Sequence, residues 1–152
     1  MSGLHVGFTG TRRGMTQEQK SAVTRALRDL DDAVEGPFTA HHGDCVGADA
    51  AFHDIVHSMA LTRATIVVHP PSLDAHRAFK SGDVTERAKP YLERDDDIVR
   101  ECDVLVATPA QDHEVRRSGT WYTVRRARQA GKPVLIVYPA GRLVGAQDVF
   151  RR

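Results

Sequence analysis

Five short apolar runs alternate with helix-like stretches along this chain, and that alternation constrains its fold more than any other feature. The runs are Leu4–Thr9, Phe38–His42, Ala64–His69, Asp103–Thr108 and Pro133–Tyr138. Several are rich in Val and Ile and lack clean polar alternation, the pattern of strands covered on both faces. Helical patterns lie between them. Thr16, followed by Glu18 and Gln19, resembles an N-terminal cap leading into Ser21–Val34, and Gly36-Pro37 ends that helix. Ala48–Ala60 carries Ala51, Phe52, Ile55, Val56 and Met59 as an apolar stripe. Tyr91–Glu101 precedes the fourth run, and Ser118–Ala130 precedes the fifth, where Gly131-Lys132-Pro133 stops a helix and starts a strand.

Strand–helix alternation of this kind implies a parallel sheet with helices on both faces. The predicted fold class is α/β: a single Rossmann-like, doubly wound domain over residues 1–152, with a mainly parallel five-stranded sheet in the order 3-2-1-4-5. That order puts a switch point between the first and fourth strands, where open α/β sheets bind ligands. The longest irregular stretch, Pro70–Pro90, reads as a functional lid or a mobile segment.

At 152 residues the chain has room for one domain. Apolar residues make up 41% and charged residues 27%, and the mean hydropathy is -0.38, a globular profile. There is no apolar run of membrane-spanning length and no signal-peptide pattern, so a cytoplasmic location and no membrane partner are expected. The net charge of +1 gives no global attraction to nucleic acid. Basic clusters are local, at Arg12–Arg13, Arg116–Arg117 and Arg125, Arg126 and Arg128. Cys45 and Cys102 show no zinc-type spacing and read as free thiols.

Chemistry-bearing residues cluster where the predicted strands end. The first run leads into Thr9-Gly10-Thr11-Arg12-Arg13-Gly14. Small residues let the backbone approach a ligand, loop and helix amides can hold an anion, and an arginine can add a bidentate phosphate contact. This is not GxGxxG, so no NAD fingerprint is present. The second run leads into His41-His42-Gly43-Asp44-Cys45-Val46-Gly47-Ala48-Asp49. Gly43 and Gly47 suit a tight turn, and Asp44 or Asp49 could accept from ribose hydroxyls or cap the helix. Asp49, His53 and His57 share one helical face. A metal set of His42, Asp44, Asp49 and His53 is conceivable, but no HxH or HExxH element fixes its geometry, and no metal is expected. His69 either faces the pocket or is structural.

Arg94 and Asp95 either reach back to the site or belong to an exposed charge run, Arg94-Asp95-Asp96-Asp97. Ser118-Gly119-Thr120 opens a helix and offers a second phosphate cradle, although Ser118 could merely cap it. Trp121 and Tyr122 suit packing or an interface better than base stacking.

In order and spacing these pieces resemble the SLOG superfamily of Rossmann-like nucleotide-binding proteins, which includes the LOG cytokinin-activating enzymes, the DprA DNA-processing proteins and the YpsA-like proteins. The resemblance falls nearest the YpsA/YspA-related branch and runs from Gly7 to Pro139. It is carried by GFTGTR at Gly7–Arg12, HGDCVGAD at His42–Asp49, HPP at His69–Pro71, ERDDDIV at Glu93–Val99, CDVLVATP at Cys102–Pro109 and RSGTWYTVRRARQAGKPVLIVYP at Arg117–Pro139. It implies a pocket built from Gly10, Thr11, Gly43, Gly47, Asp49, Arg94, Ser118, Gly119 and Thr120, and a homodimer, for which Trp121 and Tyr122 could supply an apolar patch. Asp95 replaces the asparagine common beside the family's arginine. LOG enzymes cleave nucleoside monophosphates using PGGxGTxxE. Here GT is kept as Gly119-Thr120, PGG is lost and Thr123 stands in the glutamate position. A neutral hydroxyl cannot stabilise an oxocarbenium-like charge as a carboxylate does.

The leading expectation is a binder of a nucleotide or nucleotide derivative, with Thr9, Gly10, Thr11, Arg12, Gly43, Asp44, Gly47, Asp49, Arg94, Ser118, Gly119 and Thr120 as ligand-binding residues and no cofactor. Two helix N-termini would share its phosphate. The alternatives are a LOG-type phosphoribohydrolase with a shifted acid, and a DprA-related DNA-processing accessory protein, which a chain of this charge does not favour.

Overall fold

The computed structural model describes residues 3–59 and 64–150. In chain order the elements are β1 (Leu4–Gly10), α1 (Gln17–Asp32), β2 (Phe38–His42), α2 (Ala48–Ser58), β3 (Ala64–Val68), a short 3-10 turn (Asp74–His76), β4 (Val84–Thr85), α3 (Tyr91–Glu101), β5 (Val104–Thr108), α4 (Gly119–Gln129), β6 (Val134–Val137), β7 (Leu143–Val144) and α5 (Ala146–Phe150). The predicted end of the second helix, Ala60, lies outside the described residues.

Local chemistry sets the helix boundaries. Thr16 Oγ1 accepts from Gln19 N at 3.0 Å while Gln19 Oε1 accepts from Thr16 N at 2.9 Å, a reciprocal cap that starts α1 earlier than Ser21. Ser118 caps α4 by accepting from Trp121 N at 3.3 Å.

The sheet has seven strands rather than five, in the order β4-β3-β2-β1-β5-β6-β7. Both additions are two-residue edge strands. β4 comes from the long segment after β3 and pairs parallel with it; β7 folds back antiparallel on β6. Two residues carry no periodicity, so neither strand is visible before the chain is folded.

Alternate residues of the strands divide the core into two layers. Val6, Phe8, Ala40, Val68, Val106 and Leu135 pack with Ala22, Val23 and Leu27 of α1 and Phe52 and Val56 of α2. On the other face Leu105, Ala107, Val134 and Ile136 pack with Ile98 of α3 and Trp121, Val124 and Ala127 of α4. Trp121 is therefore core, 1% exposed, and does not supply the surface patch expected for self-association. Cys45 and Cys102 are free and buried. Among the described residues no helix is long and apolar enough to cross a membrane.

The Pro70–Pro90 segment is pinned, unlike an independent lid. Asp44 takes up a left-handed backbone, φ 54, which aspartate tolerates. Its buried carboxylate accepts from Arg77 Nε at 2.8 Å and from Lys80 N at 2.9 Å. Val46 N donates to His76 O at 2.9 Å and Ala78 N to Asp44 O at 2.7 Å, so the segment is laced to the β2–α2 turn.

Candidate functional site

β1 lies between β2 and β5, and the loops leaving β1 and β5 part in opposite directions there. A hollow of about 910 Å³ opens at this point, at the C-terminal ends of the parallel strands. Its wall includes Thr9, Gly10, Thr11, Arg12, Gly43, Asp49, Arg94, Ser118, Gly119 and Thr120, so ten of the twelve residues singled out in the sequence share one cavity. The wall also holds Arg13 and Asp95, which the sequence left as open candidates, and Tyr91, Gln111 and Arg117, which it did not single out as site residues. Arg117 was visible only as part of a basic pair, and Gln111 stood in a polar loop with no pattern of its own.

The two exceptions are structural. Asp44 spends its carboxylate on Arg77 and Lys80. Gly47 has φ 94, and a β-carbon there would collide with the backbone of Arg12, so the turn needs glycine to bring α2 against the β1 loop. The first amide of α2 is taken by that loop: Ala48 N donates to Thr11 O at 2.9 Å.

The expected pair of helix N-termini is also reduced to one. α1 starts at Gln17, beyond the β1 loop, and Gln17 and Glu18 line a separate shallow depression with Ala140 and Gly141. Of the two expected helix starts, that of α4 opens into the main hollow, which the first turns of α2 and α3 also line through Asp49, Tyr91 and Leu92. Ser118 occupies the amides of Trp121 and Tyr122 through its side chain and its carbonyl, while Gly119 and Thr120 stand at the helix mouth. A β-carbon on Gly119 would meet nothing within 4 Å, so this position faces open space.

Arg94 rises from α3 into the floor of the hollow and is 5% exposed. Its Nε donates to Asp95 Oδ1 at 2.6 Å. Its Nη1 donates to Gly43 O and, at 3.2 Å, to His69 O. A side chain on Gly43 would occupy the space this guanidinium fills. Burial works against the charge, but Asp95 and Asp49 outweigh it, and Arg94 stays protonated. Burial raises Asp49 to about 7, against the pull of Arg94 and a hydrogen bond from Cys45 N at 3.1 Å. Asp49 thus fixes the β2–α2 turn while lining the cavity. Arg12, Arg13 and Arg117 form no ion pair among the described residues and leave the rim positive. Gln111 Oε1 is buried without a partner among the described residues.

Thr123, in the position of the LOG glutamate, is fully buried and donates to Gly119 O at 2.9 Å. Its hydroxyl also interacts with the Asp95 carboxylate, which reaches the cavity from α3. A carboxylate therefore stands next to that position, supplied by a different helix.

The conceivable set of His42, Asp44, Asp49 and His53 does not assemble as metal ligands. His42 Nε2 is 2.9 Å from His53 Nδ1, and its Nδ1 accepts from Asp44 N at 2.9 Å. His57 is exposed. His69 is not among the residues that line the hollow, and its Nε2 lies 2.9 Å from His41 Nδ1. Burial, helped by neighbouring imidazoles, lowers His41 and His42 to about 3. Burial is also the main cause that lowers His69 to about 4. These rings are neutral at pH 7.

No protein-family model matches the chain, and no curated protein matches it at a significant level. Among solved structures it is similar to the molybdenum cofactor binding protein from the phototrophic bacterium Rippkaea orientalis, with a TM-score of 0.66 and 16% identity over 91% of this chain and 78% of that one. At that identity the likeness establishes the α/β fold.

Proposed function

We propose that this protein binds a phosphate-bearing nucleotide or nucleotide derivative in the hollow between β1 and β5, as a member of the SLOG type. The observation that carries the reading is the shared wall: the Thr9–Arg13 loop, the mouth of α4 and Arg117 surround one cavity, and Arg12, Arg13 and Arg117 form no ion pair among the described residues. Phosphate would sit on the Gly119 and Thr120 amides, where the helix dipole and free N–H groups favour an anion, with rim arginines closing over it. Asp49 and Gln111 supply acceptors for ribose or base. A small-molecule role is in keeping with the description of the structural neighbour as a molybdenum cofactor binding protein.

Calorimetric titration with AMP, ADP-ribose, NAD, cyclic dinucleotides and molybdenum cofactor tests this. At least one ligand is expected to saturate at one site per chain. Gly119→Val, whose side chain enters open space, is expected to weaken that binding at least tenfold without lowering Tm. Absence of binding by every ligand, or full binding by the variant, overturns the reading.

A second reading has its own observation. Asp95 stands beside Thr123 and lines the hollow, which supports a LOG-type enzyme with a shifted acid. Release of free base from a nucleoside monophosphate, lost in Asp95→Asn, would establish phosphoribohydrolase activity.

A further inference from the structure

His5, His41 and His69 run diagonally across β1, β2 and the end of β3, on the sheet face covered by α3. His5 Nδ1 is 2.8 Å from His41 Nε2, and His41 Nδ1 is 2.9 Å from His69 Nε2. Glu101, the last residue of α3, brings Oε1 to 3.8 Å from His41 Nδ1 and 3.9 Å from His69 Nε2. None of these residues lines the hollow described above.

We propose that His41, His69 and Glu101 form a binding site for a first-row divalent metal ion of the zinc type, independent of the nucleotide hollow. Three ligand atoms on three separate elements fall within 4.8 Å of one another. Bonds of about 2.0–2.1 Å in tetrahedral geometry place ligand atoms roughly 3.3 Å apart, between the separations found here. Shifts of about half an ångström, mostly in the partly exposed Glu101 side chain, close the set. Two imidazoles and one carboxylate suit zinc or iron(II) and not the all-oxygen preference of magnesium or calcium.

The surroundings are those of a ligand set. With a metal on Nδ1, His41 would carry its proton on Nε2 and donate it to His5 Nδ1, the outer hydrogen bond that usually fixes the tautomer of a metal-binding histidine. The cations that act on His69 are already engaged: Asp97 accepts from Lys89 Nζ and from Arg100 Nη2, and Asp95 accepts from Arg94 Nε, each at 2.6 Å. Glu101 makes no hydrogen bond with any of them, and Glu86 adds a second negative charge close by. Both imidazoles are buried and the carboxylate is 38% exposed, so the fourth position opens to solvent along the end of α3.

The test uses the full chain without a histidine tag, stripped with chelator. Zinc is titrated in competition with a chromophoric chelator, and cobalt(II) is added separately to read its visible absorption. Iron(II) is tested without oxygen. One equivalent of zinc is expected to bind, with a tetrahedral-type cobalt spectrum and a zinc-dependent rise in Tm. Glu101→Gln is expected to weaken zinc binding at least tenfold, and His69→Gln more. His57→Gln and His113→Gln, at exposed histidines, are expected to bind as the parent does. Should His69→Gln not fold, the surface variant at Glu101 decides alone. Failure of the parent to bind any of the three metals stoichiometrically overturns the proposal, as does undiminished binding by Glu101→Gln.

Discussion

Replacing Arg94 by methionine removes the one buried cation of the floor while keeping most of its aliphatic volume. It leaves the Asp95 carboxylate without its 2.6 Å partner and deprives Gly43 O and His69 O of a donor. Breaking a buried ion pair by removing one partner typically costs about 3–5 kcal/mol, and an orphaned buried carbonyl about 1–3 kcal/mol. The Arg94 contribution is expected at about 4 kcal/mol, since Asp95 can take up a proton and water can enter from the hollow. For a domain of this size about 2–4 °C of Tm follows each kcal/mol, so Arg94→Met is expected to melt roughly 8–16 °C lower. Urea unfolding followed by circular dichroism, with calorimetry for Tm, measures both quantities. The double variant Arg94→Met/Asp95→Leu removes the stranded charge and is expected to recover part of the loss. A single variant within 1 kcal/mol of the parent, or a double variant less stable than the single, refutes the view that this pair is mutually dependent.

Stability is expected to fall on acidification from pH 7 to pH 5. His41, His42 and His69 have folded pKa values depressed from 6.5, so the unfolded chain binds more protons in this window; their stabilisation is intact above pH 6.5 and is lost as pH falls toward their folded values. Each contributes about 2 kcal/mol of loss at pH 5, and Asp49, whose folded pKa is raised to about 7, offsets about 2 kcal/mol in the opposite direction. Urea midpoints that stay level or rise toward pH 5 would contradict this. Gly10→Ala would put a β-carbon 2.5 Å from Thr108 Oγ1 and against Ala48 Cβ, and is expected to lose about 1–3 kcal/mol in the same urea assay. Thr16→Ala removes both the cap of α1 and a 2.6 Å hydrogen bond to Pro139 O, with an expected loss of about 1–2 kcal/mol.

Although the residues alone left Arg94 open between the site and an exposed charge run, the alternation of strands and helices, the caps at Thr16 and Ser118 and the gathering of Gly10, Gly43 and Gly119 at one end of the sheet were legible in the sequence. Each depends on local pattern: apolar runs, capping side chains a few residues from their partners, and the rule that parallel strands present their C-terminal loops together. The tertiary structure alone decided the rest. Strands β4 and β7 exist because neighbours offer unpaired edges, and two residues signal nothing beforehand. The start of α1 is not among the residues that line the main hollow because the Thr16 cap sets that helix beyond the β1 loop. The histidine row joins residues 36 and 28 positions apart in sequence, and only strand register brings their ring nitrogens within hydrogen-bond reach. Spacing along a chain encodes which face of its own element a side chain takes; which other side chains share that face is fixed when the sheet is assembled.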